Sequence, residues 1–158
     1  HRLASEAGRV CTPKPTERAR MTIRLNPYLN FRDNAREAMT FYHSILGGDI
    51  TFSTFGEFNA TEDPSEQDKI MHSMITAPDG MVLMGADSPN HMGFNGHAGF
   101  GVTINGDEEE RLAGYFEKLS EGGEVVMPFG PAPWGGVFGM CDDKYGISWL
   151  INCQEEAA

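Results

Sequence analysis

The chain has 158 residues, 40% apolar and 22% charged, enough for one domain with a real core and unlike the composition of a disordered chain. Twelve Lys and Arg stand against 23 Asp and Glu, a net charge of −11 that disfavours a nucleic-acid backbone or an anionic membrane surface as partner. No apolar run approaches the roughly 20 residues that span a bilayer. The odd cysteine count, with Cys141 and Cys153 in or beside strands, reads as buried reduced thiols, so the cytoplasm is the expected compartment.

Residues 1–20 differ from the rest. They carry a net +3 and leave −14 for residues 21–158. Pro13 and Pro15 break any helix and no apolar segment of a secretory signal is present, so a disordered leader or a gene-boundary artefact is expected, with a single domain over 21–158. From Thr22 the pattern alternates: Ile23, Leu25, Leu29 and Phe31 on one strand face, Asn26, Tyr28 and Asn30 on the other, with Pro27 marking an edge or bulge. Asn34 with Glu37 three residues on resembles a capping box. Ala35, Ala38, Met39, Tyr42, Ile45 and Leu46 follow at helical spacing, until Gly47-Gly48 ends the helix. His43, on the polar side, reads as solvated. Ile50 to Phe55 is a second strand, and the acidic stretch Gly56 to Asp68 a long exposed loop and candidate lid. Lys69 to Ala77 and Met81 to Ala86 form a hairpin around Pro78-Asp79-Gly80.

Asp87 to Gly96 is rich in turn formers and reads as a linker. The pattern then restarts: a strand from His97 to Ile104, a helix from Asp107 to Glu121 with Leu112, Tyr115, Phe116 and Leu119 inward, and a strand from Glu124 to Met127. A Gly/Pro-rich loop leads into a closing hairpin of Gly136–Cys141 and Ile147–Asn152, where Gly146 supplies the positive φ of the turn. The halves correspond at a shift of 74 to 75 positions, Phe41-Tyr42 before Gly47-Gly48 against Tyr115-Phe116 before Gly122-Gly123. The expected fold is therefore α+β, two tandem βαβββ modules over 22–88 and 97–153 joined by a linker at 89–96. One helix covers only one face of a four-stranded sheet, so pairing two sheets makes a curved shell around a cleft.

Duplicated βαβββ modules resemble the vicinal oxygen chelate superfamily, with its glyoxalases, extradiol dioxygenases and bleomycin-resistance proteins. The stretches N-P-Y-L-N-F-R-D-N-A-R-E-A-M-T-F-Y (26–42), K-I-M-H-S-M-I (69–75), E-G-G-E-V-V-M-P (121–128) and D-K-Y-G-I-S-W-L-I-N (143–152) are similar to its PhnB-like subgroup. Together these segments place the likeness over about 22–153. The resemblance implies a small-molecule cleft, a homodimer and, in metal-dependent members, four His or Glu ligands. Counting four residues past each turn glycine puts Met84 and Leu150 at two of those positions, and alignment on the helices puts Pro27 at a third. A thioether, an alkyl group and a proline do not hold a hard or borderline divalent ion, so no cofactor and no metal site are expected. His97 is the remaining candidate, although the helix alignment points nearer Phe100.

Several residues stand out as candidate site groups. His72, mid-strand, is either a hydrogen-bonded structural histidine or a cleft-facing catalytic base. Asn26, Tyr28 and Asn30 face either the cleft or solvent. Trp134 and Phe138, with Phe129, read as core or as an aromatic rim suited to planar ligands. Met84, His97 and Leu150 complete the candidate lining. The leading expectation is a metal-free binder of a small organic molecule. The alternative is a lyase, isomerase or dioxygenase using His72 or His97 with a divalent metal ion; a pure scaffold ranks third. Subgroup names sometimes imply methyl transfer, but no Gly-rich loop for S-adenosylmethionine is present.

Overall fold

A computed structural model describes residues 23–154; the expected leader at 1–20 lies outside them. Module one comprises β1 (Tyr28–Phe31), α1 (Ala35–Leu46), β2 (Asp49–Thr54), β3 (Ile70–Thr76) and β4 (Val82–Asp87), with strand order β1-β4-β3-β2. Module two comprises β5 (Val102–Gly106), α2 (Glu109–Ser120), β6 (Glu124–Pro131), β7 (Val137–Asp142) and β8 (Ser148–Cys153), in the order β5-β8-β7-β6. β1 runs parallel to β4 and β5 to β8, and every other pairing is antiparallel. The fold is α+β, with one topology used twice. No described helix is long and apolar enough to cross a membrane.

The helical stripes fall where the spacing puts them. Ala35, Ala38, Met39, Tyr42, Ile45 and Leu46 are buried on α1, and Leu112, Tyr115, Phe116 and Leu119 on α2. A glycine opens each sheet to its helix. A Cβ on Gly85 would meet the Met39 thioether, and one on Gly139 the Phe116 ring. The repeated Gly-Gly pairs also have a steric cause, since a Cβ on Gly48 would run into the Thr76 carbonyl and one on Gly123 into that of Asp142. The helix-covered faces of both sheets meet in one core, where Tyr42 of α1 lies 5.4 Å from Trp149 of β8. The opposite face of each sheet therefore points away from that core.

Several expected elements are shorter, longer or more tightly held than the pattern suggests. β1 begins only at Tyr28, and Ile23 and Leu25 are fully exposed rather than on the core face. Pro27 has no N–H for a ladder; only its carbonyl joins, accepting from the Met84 amide. β5 begins at Val102, not His97, because Gly96 and Gly99 take positive φ. β6 runs on to Pro131 through two register shifts. Asn34 makes no side-chain cap; the Ala35 amide donates to Asp87 of β4 instead, at 2.9 Å. His43 is not merely solvated, since its ring nitrogen lies 2.8 Å from the Gly48 carbonyl. The Gly56–Asp68 loop is pinned rather than free. Glu66 is buried in it, accepting from the Thr61 hydroxyl and the Asn90 amide.

Candidate functional site

Sheet register decides which side chains share a face. In module one Tyr28 pairs with Met84, Met84 with Met74, and Met74 with Thr51. In module two the same row reads Thr103, Leu150, Met140 and Met127. Both rows lie on the faces turned away from the helices, since their neighbours Leu29, Ile75 and Leu83, and Trp149 and Cys141, belong to the core. The residue beside Met84 is thus Tyr28, not Pro27, and the residue beside Leu150 is Thr103, not Phe100 or His97.

Part of the candidate lining converges. Tyr28, Asn30 and His97 line one recess of about 350 Å³ together with Met92, Phe94 and Phe100. His72 stacks on the Tyr28 ring with centroids 5.9 Å apart and planes 28° from parallel. The His97 imidazole sits among Phe31, Phe94 and Phe100 at 5.6, 5.3 and 6.4 Å, each ring edge-on. Burial holds His97 below its ordinary pKa, partly opposed by the negative charge of Asp143, and burial raises the Tyr28 phenol. Both groups are neutral around neutral pH.

The other candidates lie elsewhere. Asn26 precedes β1 and lines a separate cavity of about 210 Å³ with Val102 and Trp149. Trp134 and Phe138 pack on each other at 5.3 Å, and Leu150 lies in the module-two row; none of the three lines the recess. Phe129 leaves the expected rim altogether and stacks on Phe116 at 5.8 Å. Met92 and Phe94 were hidden in a segment read by its turn formers, and Phe100 was assigned to a strand that begins only at Val102; three large apolar side chains in ten glycine-rich residues were the available signal.

Two buried carboxylates escaped the sequence reading. Asp87 accepts from the amides of Ala35 and Ile70, both at 2.9 Å, tying the start of α1 to the start of β3. Asp143 accepts from the Tyr145 and Ile147 amides, from the Tyr42 hydroxyl at 2.6 Å and from the Trp149 indole at 2.8 Å. Tyr42 comes from module one, so this carboxylate joins the modules. Cys141 is buried with its thiol pushed up to about 11, mainly by desolvation, which keeps it protonated and unreactive.

The donor chemistry bears on a metal. The four row positions of the superfamily site hold a phenol, a thioether, a hydroxyl and an alkyl group, a set that does not fit a hard or borderline divalent ion. Among the described residues no three His, Cys, Asp or Glu side chains cluster closely enough to hold one.

A family model described as 3-demethylubiquinone-9 3-methyltransferase matches residues 24–152. This chain is a PhnB-like member of that family. The solved protein PA1353 from Pseudomonas aeruginosa is 34% identical, over 85% of this chain and 100% of its own, with a TM-score of 0.73. The PhnB protein of Bacillus cereus is 28% identical, over 84% of this chain and 100% of its own, with a TM-score of 0.64. A glyoxylase/bleomycin resistance protein/dioxygenase domain from Frankia sp. EAN1pec shares the fold at 14% identity, over 86% of this PhnB-like chain and 100% of its own, with a TM-score of 0.60.

Proposed function

We propose that this PhnB-like protein binds a small organic molecule in the recess over β1, without the superfamily's usual metal site. One observation carries the reading: Tyr28 and Asn30 of β1 line one recess with His97, far along the chain. Their polar ends make no hydrogen bond to any described residue, so they remain available to a ligand. Met84 and His72 flank Tyr28 and extend the surface beneath. The test is a fragment screen read by amide chemical shifts, repeated on Asn30→Ala and Tyr28→Ala after circular dichroism confirms folding. Hits should shift the signals of residues 28–30 and 92–100 and weaken at least about tenfold in either variant, the loss of one or two polar contacts. Hits that cluster elsewhere and ignore both variants would sink the reading.

A metal-dependent lyase, isomerase or dioxygenase is the second reading. It is favoured by two imidazoles flanking one phenol, His72 stacked on Tyr28 and His97 sharing its recess. Elemental analysis after mild dialysis separates the two. The binder reading expects well under one divalent ion per chain; a full equivalent, lost on replacing His72 or His97, moves the enzyme reading ahead.

The same proposal includes a homodimer in the cytoplasm. Both sheets turn a helix-free face outward, and Tyr28, Met127 and Trp134 remain 44%, 45% and 61% exposed in a single chain. Cys141 is a buried free thiol, in keeping with a reducing compartment. Sedimentation over a range of concentrations tests the dimer, and a monomer mass at every concentration would refute it.

A further inference from the structure

Among the described residues no charged side chain lines the recess over β1. Its polar side chains are those of Tyr28, Asn30, Ser88, Asn95 and His97. A charged ligand seated there gives up part of its hydration and meets no counter-charge from the described lining. The phenol and imidazole supply no charge either, because burial holds both in their neutral forms.

Shape points the same way. Phe94 and Phe100 stand edge-on to His97, with planes at 75° and 73°, so three packed aromatic rings share the lining. Aromatic walls of this kind favour offset or edge contacts with another ring. A volume of about 350 Å³ is near the lower end of the range for small-molecule pockets, enough for one or two fused rings.

Granting the binding role proposed above for this recess, we propose that its ligand class is an uncharged planar aromatic of one or two rings bearing a hydrogen-bonding substituent, which Asn30 and His97 recognise. Anionic substrates such as phosphonates, and cationic ones such as sulfonium compounds, fall outside that class.

One ring system at three charges gives the test. Titrate the full-length protein with 2-naphthol, 2-naphthalenesulfonate and 2-naphthyltrimethylammonium at about pH 7.5, above the ordinary imidazole range, following amide shifts and calorimetry. A saturated bicyclic alcohol, decahydro-2-naphthol, probes planarity. Naphthol should bind at least about tenfold tighter than the other three, and Asn30→Ala should reduce that margin. The ammonium probe is the sharpest rival, since aromatic walls can hold a quaternary cation through their ring faces. If it or the sulfonate wins while shifting Tyr28, Asn30 and His97, the ligand class is wrong and the site stands. If naphthol leaves those residues unmoved and binds elsewhere, the site itself is wrong. Equal binding of the saturated alcohol, or binding of none of the four, overturns the class.

Discussion

The Tyr42–Asp143 hydrogen bond should be worth more to this fold than any single surface contact. Tyr42 is fully buried on α1, Asp143 lies in the turn before β8, and their oxygens are 2.6 Å apart. Burial first, then the adjacent carboxylate, raises the Tyr42 phenol far above its ordinary pKa, so it donates at any accessible pH. Short hydrogen bonds to an ionised acceptor contribute about 1.5–3 kcal/mol net. Tyr42→Phe removes the donor alone. Asp143 keeps three donors, from Tyr145, Ile147 and Trp149, so no buried N–H is orphaned. The expected loss is therefore about 1.5–3 kcal/mol, which for a chain of this length lowers Tm by about 3–10 °C. Asp143→Asn should cost more, about 2–4 kcal/mol, because its amide nitrogen would face the Trp149 indole N–H, which only donates. Urea unfolding followed by far-UV circular dichroism and by fluorescence gives both values, and the double variant gives the coupling. Tyr145→Phe is the control, because its hydroxyl reaches Glu37 at the surface and should change stability by no more than about 0.5–1 kcal/mol. A Tyr42→Phe loss below about 0.5 kcal/mol, or no larger than that control, would refute the reasoning. Since the bond crosses between modules, non-coincident transitions in the variant would show them unfolding separately.

Asp87→Ala leaves the buried Ala35 and Ile70 amides without their acceptor and should cost about 2–5 kcal/mol by urea unfolding, with Asp87→Asn, which keeps one acceptor, losing less; equal stability of the alanine variant and the parent would contradict that assignment. His97 gives the pH dependence. Its folded pKa lies below the ordinary 6.5, so as pH falls the unfolded chain takes up the proton first. Stability from this group is full above 6.5 and declines below it until the folded value is passed. His97→Gln should therefore flatten part of the slope just below that point, and superimposable stability–pH curves for parent and variant would exclude the effect.

What the sequence could reveal followed the range of each interaction. Helical stripes and glycine stops are local, so Ala38, Met39, Tyr42 and Leu119 were placed in the core correctly. The duplication was legible because the second glycine of each pair answers one steric demand, close approach to the facing strand. Strand ends were less legible, because alternation continues past the point where backbone pairing stops. Ile23 and Leu25 keep the period of β1, yet Pro27 ends the ladder between them and Leu29. Asp143 and Asp87 looked like ordinary turn and strand-end residues because the partners that tie them across the fold, Tyr42 and Ala35, lie 101 and 52 positions away. The recess was half visible. Tyr28 and Asn30 were legible as polar groups at strand positions, whereas His97 and Phe100 were assigned to a strand that begins only at Val102, and Phe94 belongs to a segment whose local pattern is turn formation.

The repeated module also explains where chemistry can sit. Cross-module contacts at the helix starts are held in pseudosymmetric pairs. Glu37, third residue of α1, accepts from Tyr145, which precedes Gly146. Arg111, third residue of α2, bonds Asp79, which precedes Gly80. Structure is thus conserved between the halves while the outward faces have diverged. Position for position, Tyr28 corresponds to Thr103, Met84 to Leu150 and Met74 to Met140. His72, two residues before Met74, corresponds to Phe138, two before Met140. Module one keeps an imidazole and a phenol where module two has a phenyl ring and a small hydroxyl. Along these matched positions the imidazole and the phenol sit on the first face, with His97 added from the segment before β5. Module two answers with methionine, leucine and phenylalanine at the matched positions, and with Thr103, Asn105, Ser148 and Asn152 around them. The proposed recess lies on the first face alone, so substitutions at Tyr28 and Asn30 should alter ligand selectivity in binding assays, whereas changes at Leu150 and Phe138, which do not line it, should leave affinity within about twofold.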